Sequence, residues 1–268
     1  MQPNHASSPA SRLAARRLTI SYTHRIVVHE LDLEIPDGSF TVLIGPNGCG
    51  KSTVLRALAR VLKPSGGEVV LDGAPITSLH SRHVARTVGL LPQAPITPDG
   101  ITVAELVARG RYPHQGPLRR ESAEDRSVVE RCLGQTGIGD LAARPMAELS
   151  GGQRQRAWIA MALAQDTELL LLDEPTTYLD LAHQMDVLDL CARLHRDGRT
   201  VVAVLHDLNQ AARYATHLIA MRDGAILAAG PPATTLTADL VQQAFDLPAR
   251  IIEDPESGTP LVIPRTRR

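Results

Sequence analysis

Phe40-Thr41-Val42-Leu43-Ile44 runs directly into Gly45-Pro46-Asn47-Gly48-Cys49-Gly50-Lys51-Ser52-Thr53. The first five residues are a β-rich apolar run, and the next nine satisfy the pattern GxxxxGK[ST]. Glycines let such a loop curl until successive backbone N–H groups point at one anion. A helix starting at the end of the loop adds the positive end of its dipole. A lysine at position 51 reaches the outer phosphates of a nucleotide, and the Ser52 hydroxyl suits a Mg²⁺ position. The strand before and the helical composition of Ser52 to Leu62 after, stopped by Pro64 and Gly66-Gly67, supply the context the motif needs.

Upstream, Arg17 to Tyr22 and Leu31 to Ile35 alternate as strands do. Downstream, short strands are expected at Glu68 to Leu71 and Val88 to Leu91. From Ala94 onward leucine, alanine, arginine and acids dominate, and Val128, Val129, Cys132 and Leu133 have helical spacing. Strand signals return at Leu169 to Leu172 and Val201 to Leu205, separated by a helical pattern from Asp180 to Arg196. A crossover helix between two strands means a parallel βαβ arrangement. The expected organisation is a flexible lead over 1–16, an α/β core carrying the phosphate loop over 17–93 and 160–240, a helical insertion over 94–159, and a tail over 241–268; Leu218 to Arg268 is expected to hold two short β runs, one helix near Thr237 to Phe245 and a proline-containing end.

Composition narrows the function classes. The chain has 268 residues, 43% hydrophobic and 21% charged, with a formal net charge of -1. Those values fit a soluble globular protein and not a disordered one. A dedicated nucleic-acid binder carries a basic excess that is lacking here. Cys49, Cys132 and Cys191 include no CxxC, which gives neither a disulfide framework nor a zinc site. No apolar run approaches the roughly 20 residues that span a bilayer. The stretch MQPNHASSPASRLAARR lacks the apolar segment of a secretory signal, so a cytoplasmic location is expected. Only Lys51 and Lys63 among the 28 basic residues are lysine, and one of the two stands inside the phosphate loop.

A second chemical signal closes the four-leucine run Leu169 to Leu172 with Asp173-Glu174-Pro175. Such a run suits a strand buried on both faces, and acids at its carboxyl end lie where α/β sheets place ligands. Asp173 would hold Mg²⁺ and Glu174 would act as general base on an attacking water. Solvated acids at a turn are the bland alternative. Leu149-Ser150-Gly151-Gly152-Gln153-Arg154-Gln155-Arg156 reads as a helix N-terminus with a serine cap and open backbone amides.

LSGGQ at 149–153 carries a resemblance. The chain resembles the nucleotide-binding subunit of ATP-binding cassette (ABC) transporters over about Arg17 to Pro231. The resemblance implies an α/β fold: a P-loop NTPase core of the ABC ATPase type, with an N-terminal antiparallel β-subdomain and a helical subdomain insertion. It also implies roles. Tyr22 matches the aromatic that stacks on adenine. Gln93 matches the glutamine that senses Mg²⁺ and the attacking water. Tyr178-Leu179-Asp180 resembles the D-loop, with Asp180 as its acid. His206 matches the switch histidine on the γ-phosphate. ATP and Mg²⁺ are the implied ligands. The implied assembly is a head-to-tail homodimer in which Gly45 to Thr53 of one chain faces Ser150 to Gln153 of the other. Membrane permease subunits, an extracytoplasmic substrate-binding protein and a peripheral place on the cytoplasmic face of the bacterial inner membrane are implied too, with no nucleic-acid partner.

Val107-Ala108-Arg109-Gly110-Arg111-Tyr112-Pro113-His114-Gln115 and Leu179-Asp180-Leu181-Ala182-His183-Gln184 resemble the ATPases of iron–siderophore importers, and less closely those for haem or vitamin B12. Arg111 and Tyr112 are expected as interface anchors for the permease. A soluble ABC protein acting on DNA or the ribosome is the rival. It is disfavoured by the single cassette and by the lack of sustained heptads between Lys51 and Asp173. Cys49 is expected to be thiol-sensitive, and Cys132 and Cys191 to be packed on helices.

Overall fold

The computed structural model describes residues 11–23, 25–93, 95–116 and 121–266. In chain order, β1 (Ser11–Tyr22), β2 (Arg25–Pro36) and β3 (Phe40–Ile44) lead into α1 (Lys51–Leu58), β4 (Gly66–Leu71) and β5 (Ala74–Pro75). Next come α2 (Ser81–Thr87), β6 (Val88–Leu91), α3 (Val103–Ala108), α4 (Ala123–Gln135), α5 (Gly151–Ala164) and β7 (Leu169–Asp173). They are followed by α6 (Leu181–Arg196), β8 (Thr200–Val204), α7 (Leu208–Tyr214), β9 (His217–Arg222) and β10 (Ala225–Gly230). The last elements are α8 (Pro232–Thr235), α9 (Ala238–Phe245), β11 (Ala249–Glu253) and β12 (Pro260–Pro264). The architecture is α/β. The described residues form two compact units, 11–79 with 206–266, and 80–205.

In the first unit an antiparallel sheet runs in the order β2-β1-β4-β5. Leu13 faces Ile35, Ala15 faces Leu33 and Leu18 faces Leu31, which puts one apolar face inward. In the same unit β3 pairs in parallel with β9, Thr41 opposite His217 and Ile44 opposite Ala220, and β9 pairs antiparallel with β10. Every residue of β3 is buried, as its unbroken apolar run requires. β11 and β12 form a separate antiparallel hairpin.

The second unit holds the parallel strands β6, β7 and β8, with Val88 opposite Leu169 and Leu172 opposite Ala203. β7 and β8 are buried along their whole length. Helices α3, α4 and α5 pack on one another. Each begins with a reciprocal capping box: Thr102 with Glu105, Ser122 with Asp125, and Ser150 with Gln153.

Three expectations change. Of the lead expected over 1–16, residues 1–10 lie outside the described residues, and residues 11–16 are strand, with Leu13, Ala14 and Ala15 buried. Pairing of β1 with both β2 and β4 overrides a polar local composition. Helix α1 ends at Leu58, four residues before the expected Leu62. Arg60 adopts a left-handed φ of 59°, and its guanidinium donates to the carbonyls of Leu79 and Thr77, so the chain turns before Pro64 is reached. The helix expected near Thr237 to Phe245 is α9, whose end lies with the β11–β12 hairpin in the stretch over 241–268. The boundaries expected at 93/94 and 159/160 do not coincide with those of the two units.

Candidate functional site

In the first unit β3 delivers the chain into the phosphate loop with Gly45 at a φ of 152°. A Cβ at position 45 would stand 2.2 Å from the Met221 carbonyl oxygen, so only glycine lets the loop turn against β9. Gly50, at φ 106°, is the N-cap of α1 and, being glycine, brings no side-chain cap to that helix start. The first amides of a helix have no partner within the helix, and a start of this kind is a donor site for an anion. Lys51 is 5% exposed, and its Nζ donates to the carbonyls of Gly45 at 2.8 Å and Pro46 at 3.0 Å. The ammonium is thereby tied to the curl of its own loop. Asn47 and Gly48 are exposed at the loop tip, and Ser52 and Thr53 are partly buried in the first turn of α1. Tyr22 closes β1 with its ring exposed, as a stacking role requires. His206 is exposed, and Asp207 after it caps α7.

Cys49 is 3% exposed, with its Sγ 3.9 Å from the Lys51 Nζ. The accessibility expected from its place in the loop is absent, because the Sγ is turned under the loop near the position of Gly45. Cys132 and Cys191 are buried as expected. Burial pushes their thiols up, to about 11 and about 12.

In the second unit Asp173 ends β7 at 0% exposure. Glu174, next in the chain, is partly buried and held at a φ of 55°, with its Oε2 accepting from the Thr177 hydroxyl at 3.2 Å. A glutamate in the left-handed region is a strained position of the kind found at working sites. The signature segment is tied to it: Gln155 Nε2 donates to the Pro175 carbonyl at 3.0 Å. Ser150 Oγ accepts from the Gln153 N–H while the Gln153 side chain accepts from the Ser150 N–H. Both residues thus complete a box. The Ser150 hydroxyl keeps its own hydrogen to donate. Gly151 is exposed and Gly152 partly so. Tyr178 is strongly exposed at φ 65°, and Asp180 caps α6 by accepting from the His183 N–H at 2.9 Å. Gln93 lies exposed at a bend two residues beyond β6.

The run from Gly110 to Gln115 behaves differently from its expected role. Arg111 is 3% exposed. Its Nε donates to Asp125 Oδ1 at 2.9 Å and its Nη1 to the Ala164 carbonyl at 3.0 Å. Burial alone would raise the Asp125 carboxyl, but the Ser122 backbone N–H, the Arg111 guanidinium and the Ser122 hydroxyl outweigh it and hold the group below its usual value. Gly110 packs against α5, where a Cβ would meet the Met161 carbonyl at 2.4 Å. His114 Nε2 bonds the Gln165 carbonyl, while the Pro113 and Gln115 carbonyls accept from Arg86 and Arg82 of α2. The run is a clasp joining α2, α4 and α5, and Arg111 is no surface anchor. Tyr112 alone projects, at 48% exposure, beside a cleft of about 670 Å³ lined by Asp99, Glu105, Arg109 and Val129. Sequence spacing could not show this, because the Arg111 partners lie 14 and 53 residues away. The capping boxes, in contrast, are local patterns, Thr-x-x-Glu, Ser-x-x-Asp and Ser-x-x-Gln, of which only the serine cap at Ser150 is expected from the sequence alone.

The family model for ABC transporters matches residues 28–177, which include the phosphate loop, the signature and the carboxylate pair. The chain belongs to the ABC transporter family. It is an ATPase subunit of that type, whose hydrolysis is coupled to transport. It is 54% identical over 258 residues to the ferric enterobactin transport ATP-binding protein FepC of Escherichia coli (strain K12), covering 96% of this chain and 95% of that one. A metal-chelate type ABC transporter solved in an inward-facing conformation superposes with a TM-score of 0.81 at 29% identity, over 96% of this chain and 98% of the other. The dimeric post-hydrolysis cassette MJ0796 with ADP and Pi superposes with a TM-score of 0.74 at 28% identity, over 82% and 98%. Among the described residues no helix is long and apolar enough to cross a membrane.

Proposed function

We propose that this ATPase subunit energises import of a ferric siderophore through separate membrane permease subunits, with a second copy of the chain completing each ATP site. The observation that carries the substrate class is the 54% identity with a ferric enterobactin ATPase, which extends across nearly the whole chain and well beyond the family model. A peripheral position on the cytoplasmic face and an extracytoplasmic binding protein accompany that reading.

The residues present fit a magnesium nucleotide. Asp173 is a wholly buried carboxylate, Ser52 a partly buried hydroxyl and Gln93 an amide oxygen, all hard oxygen donors of the kind Mg²⁺ takes. When bound, the ion would neutralise charge on the β- and γ-phosphates. The rest is done by the chain. Lys51 and the amides from Gly48 to Thr53 grip the phosphates, and Tyr22 stacks on the base. Glu174 orients the attacking water and takes its proton. His206 donates to the γ-phosphate. Ser150, Gly151, Gly152 and Gln153 of the second copy close over the same phosphates. Asp180 caps the start of α6, and the exposed Tyr178 and Leu181 beside it would meet that copy. Nucleotide then acts as the adhesive of the dimer, and loss of the γ-phosphate releases it. The permease contact falls to Tyr112 and its cleft.

Glu174→Gln tests the chemistry: it keeps shape but cannot accept a proton, so hydrolysis falls by roughly 10²–10⁴-fold while ATP binding persists. An ATP-bound dimer accumulates and is measured by light scattering; full turnover refutes the assignment. Deleting the gene in its host tests the substrate. Uptake of radio-iron as ferric siderophore is lost and restored only by the active chain, whereas uptake from haem is unchanged. The opposite pattern assigns the haem reading.

A further inference from the structure

Helix α7 has seven residues, short of the roughly 12–15 that an isolated helix needs. The β11–β12 hairpin is two-stranded, and such a hairpin is marginal by itself. Each supplies what the other lacks. Asn209, in the first turn of α7, uses its amide as a strand uses its backbone. Its Oδ1 accepts from the Val262 N–H at 2.7 Å, and its Nδ2 donates to the Val262 carbonyl at 3.3 Å. Arg213 lies four residues on, hence on the same helix face. Its Nη2 donates to Asp254 Oδ2 at 2.5 Å. Asp254 is 7% exposed and organises the hairpin turn, accepting from the Glu256 N–H at 3.0 Å and the Ser257 hydroxyl at 2.9 Å. The Arg213 guanidinium, with the Glu256 N–H and the Ser257 hydroxyl, holds its carboxyl well below the usual range.

The near end of α7 is where this grip matters. His206 and Asp207 immediately precede the helix. Asp207 Oδ1 accepts from the N–H groups of Asn209 and Gln210 at 2.8 and 2.9 Å. The residue next to His206 is therefore fixed to the backbone of the residue whose side chain grips β12. The far end is secured separately, by the Thr216 N–H donating to the Phe40 carbonyl at 2.9 Å and the Phe40 N–H donating to the Thr216 hydroxyl at 2.9 Å. The buried Ala211 and Ala212 seat the middle of α7, and the bonds of Asn209 to Val262 add a side-chain tie close to its start.

We propose that Asn209 is a positioning residue for the histidine at 206, and that the C-terminal hairpin is the anchor through which it acts. This rests on the reading of His206 as a γ-phosphate donor. Misplacing a catalytic group by about 1 Å can cost up to roughly 10²-fold. Asn209→Ala, which loses both bonds to Val262, lowers kcat for ATP about tenfold and leaves KM within about twofold, because Tyr22 and Lys51 are untouched. Asn209→Asp keeps the acceptor for the shorter bond and recovers most of the rate. Asp254→Asn removes the charge that Arg213 meets and loses a few-fold.

The experiment measures phosphate release by the full chain. Active protein is counted by nucleotide binding, for the parent, these three variants, His206→Ala, and His206→Ala combined with Asn209→Ala. The proposal expects the combined variant to be no slower than His206→Ala, since there is no histidine left to place. Losses that multiply show that Asn209 acts elsewhere and overturn the proposal, as does parental kcat in Asn209→Ala beside a collapsed His206→Ala. Parental turnover in His206→Ala instead overturns the reading of the histidine itself. Should Asn209→Ala fail to fold, Asn209→Asp and Asp254→Asn decide: a kcat loss at unchanged KM that vanishes in the His206→Ala background supports the anchor, and no loss overturns it.

Discussion

Two buried cations in this chain look alike and do opposite work. Lys51 in the phosphate loop is 5% exposed and Arg111 in the clasp is 3% exposed. Lys51 directs its hydrogens to two neutral carbonyls of its own loop. Arg111 directs its hydrogens to a carboxylate on one helix and a carbonyl at the end of another. Burying a charge costs several kcal/mol unless a counter-charge is near. In the clasp Asp125 supplies that counter-charge from within the fold. In the loop the carbonyl bonds leave the positive charge in place at the start of α1, whose N-cap glycine brings no side-chain cap, and in the proposed ATP site a phosphate offsets it. Where the partner of a buried cation comes from separates a binding residue from a folding residue.

The largest effect expected from this contrast is at the loop. Lys51→Ala should lower ATP turnover by roughly 10³-fold, with nucleotide affinity falling alongside, since a charge-assisted donor to the phosphates is lost. Thermal stability without nucleotide should move little, because the Lys51 bonds are within its own loop. A large fall in Tm with nucleotide affinity intact would break the comparison, for Lys51 would then be a folding residue too.

At the clasp the pattern inverts. Arg111→Ala leaves Asp125 buried without its guanidinium, which costs about 3 kcal/mol. For a chain of this size that is a fall in Tm of roughly 6–12 °C, read by calorimetry. ATP affinity of the protein that remains folded should be unchanged. Arg111→Lys should recover only part, because an ammonium cannot reach Asp125 and Ala164 in two fixed directions. The pH dependence has a definite sign. Asp125 is held below its usual value, so its contribution is fully present above about pH 4 and is lost as pH falls through the lower folded value. Arg111→Ala should therefore show a shallower loss of stability in acid than the parent. An unchanged acid slope would mean that the pair contributes nothing.

The contrast also explains what was legible beforehand. GxxxxGK[ST], the four leucines before Asp173 and Glu174, and Ser150-Gly151-Gly152-Gln153 are local. Each is complete within a few residues, and strand, loop and helix follow one another as the chemistry demands. The fold class, the phosphate loop and the carboxylate pair could be read for that reason. Arg111 could not, because its partners come from α4 and α5. The strand from Ser11 was hidden likewise: Arg12, Arg16 and Arg17 make the segment look solvated, and only pairing with β2 and β4 shows that Leu13, Ala14 and Ala15 turn inward. The grip of Asn209 on Val262 spans 53 residues and left no trace in the local pattern.

The smallest effect separates the neighbour of Arg111 from Arg111 itself. Tyr112 is half-exposed beside the cleft, while Arg109 and Glu105 give that cleft both signs of charge. A tyrosine there offers a rigid apolar ring and a hydroxyl at low entropic cost, which suits an interface residue. Tyr112→Ala should leave Tm within about 2 °C, a change of roughly 0.5 kcal/mol or less, as expected for a surface position. Basal hydrolysis of the isolated subunit should be unaltered. In vesicles with the permease, stimulated hydrolysis and uptake should fall a few-fold together, because removing one interface aromatic costs on the order of 1–2 kcal/mol of docking. Normal stimulation by Tyr112→Ala would place the permease contact elsewhere. A fall in Tm as large as that of Arg111→Ala would make the whole run a clasp with no docking role.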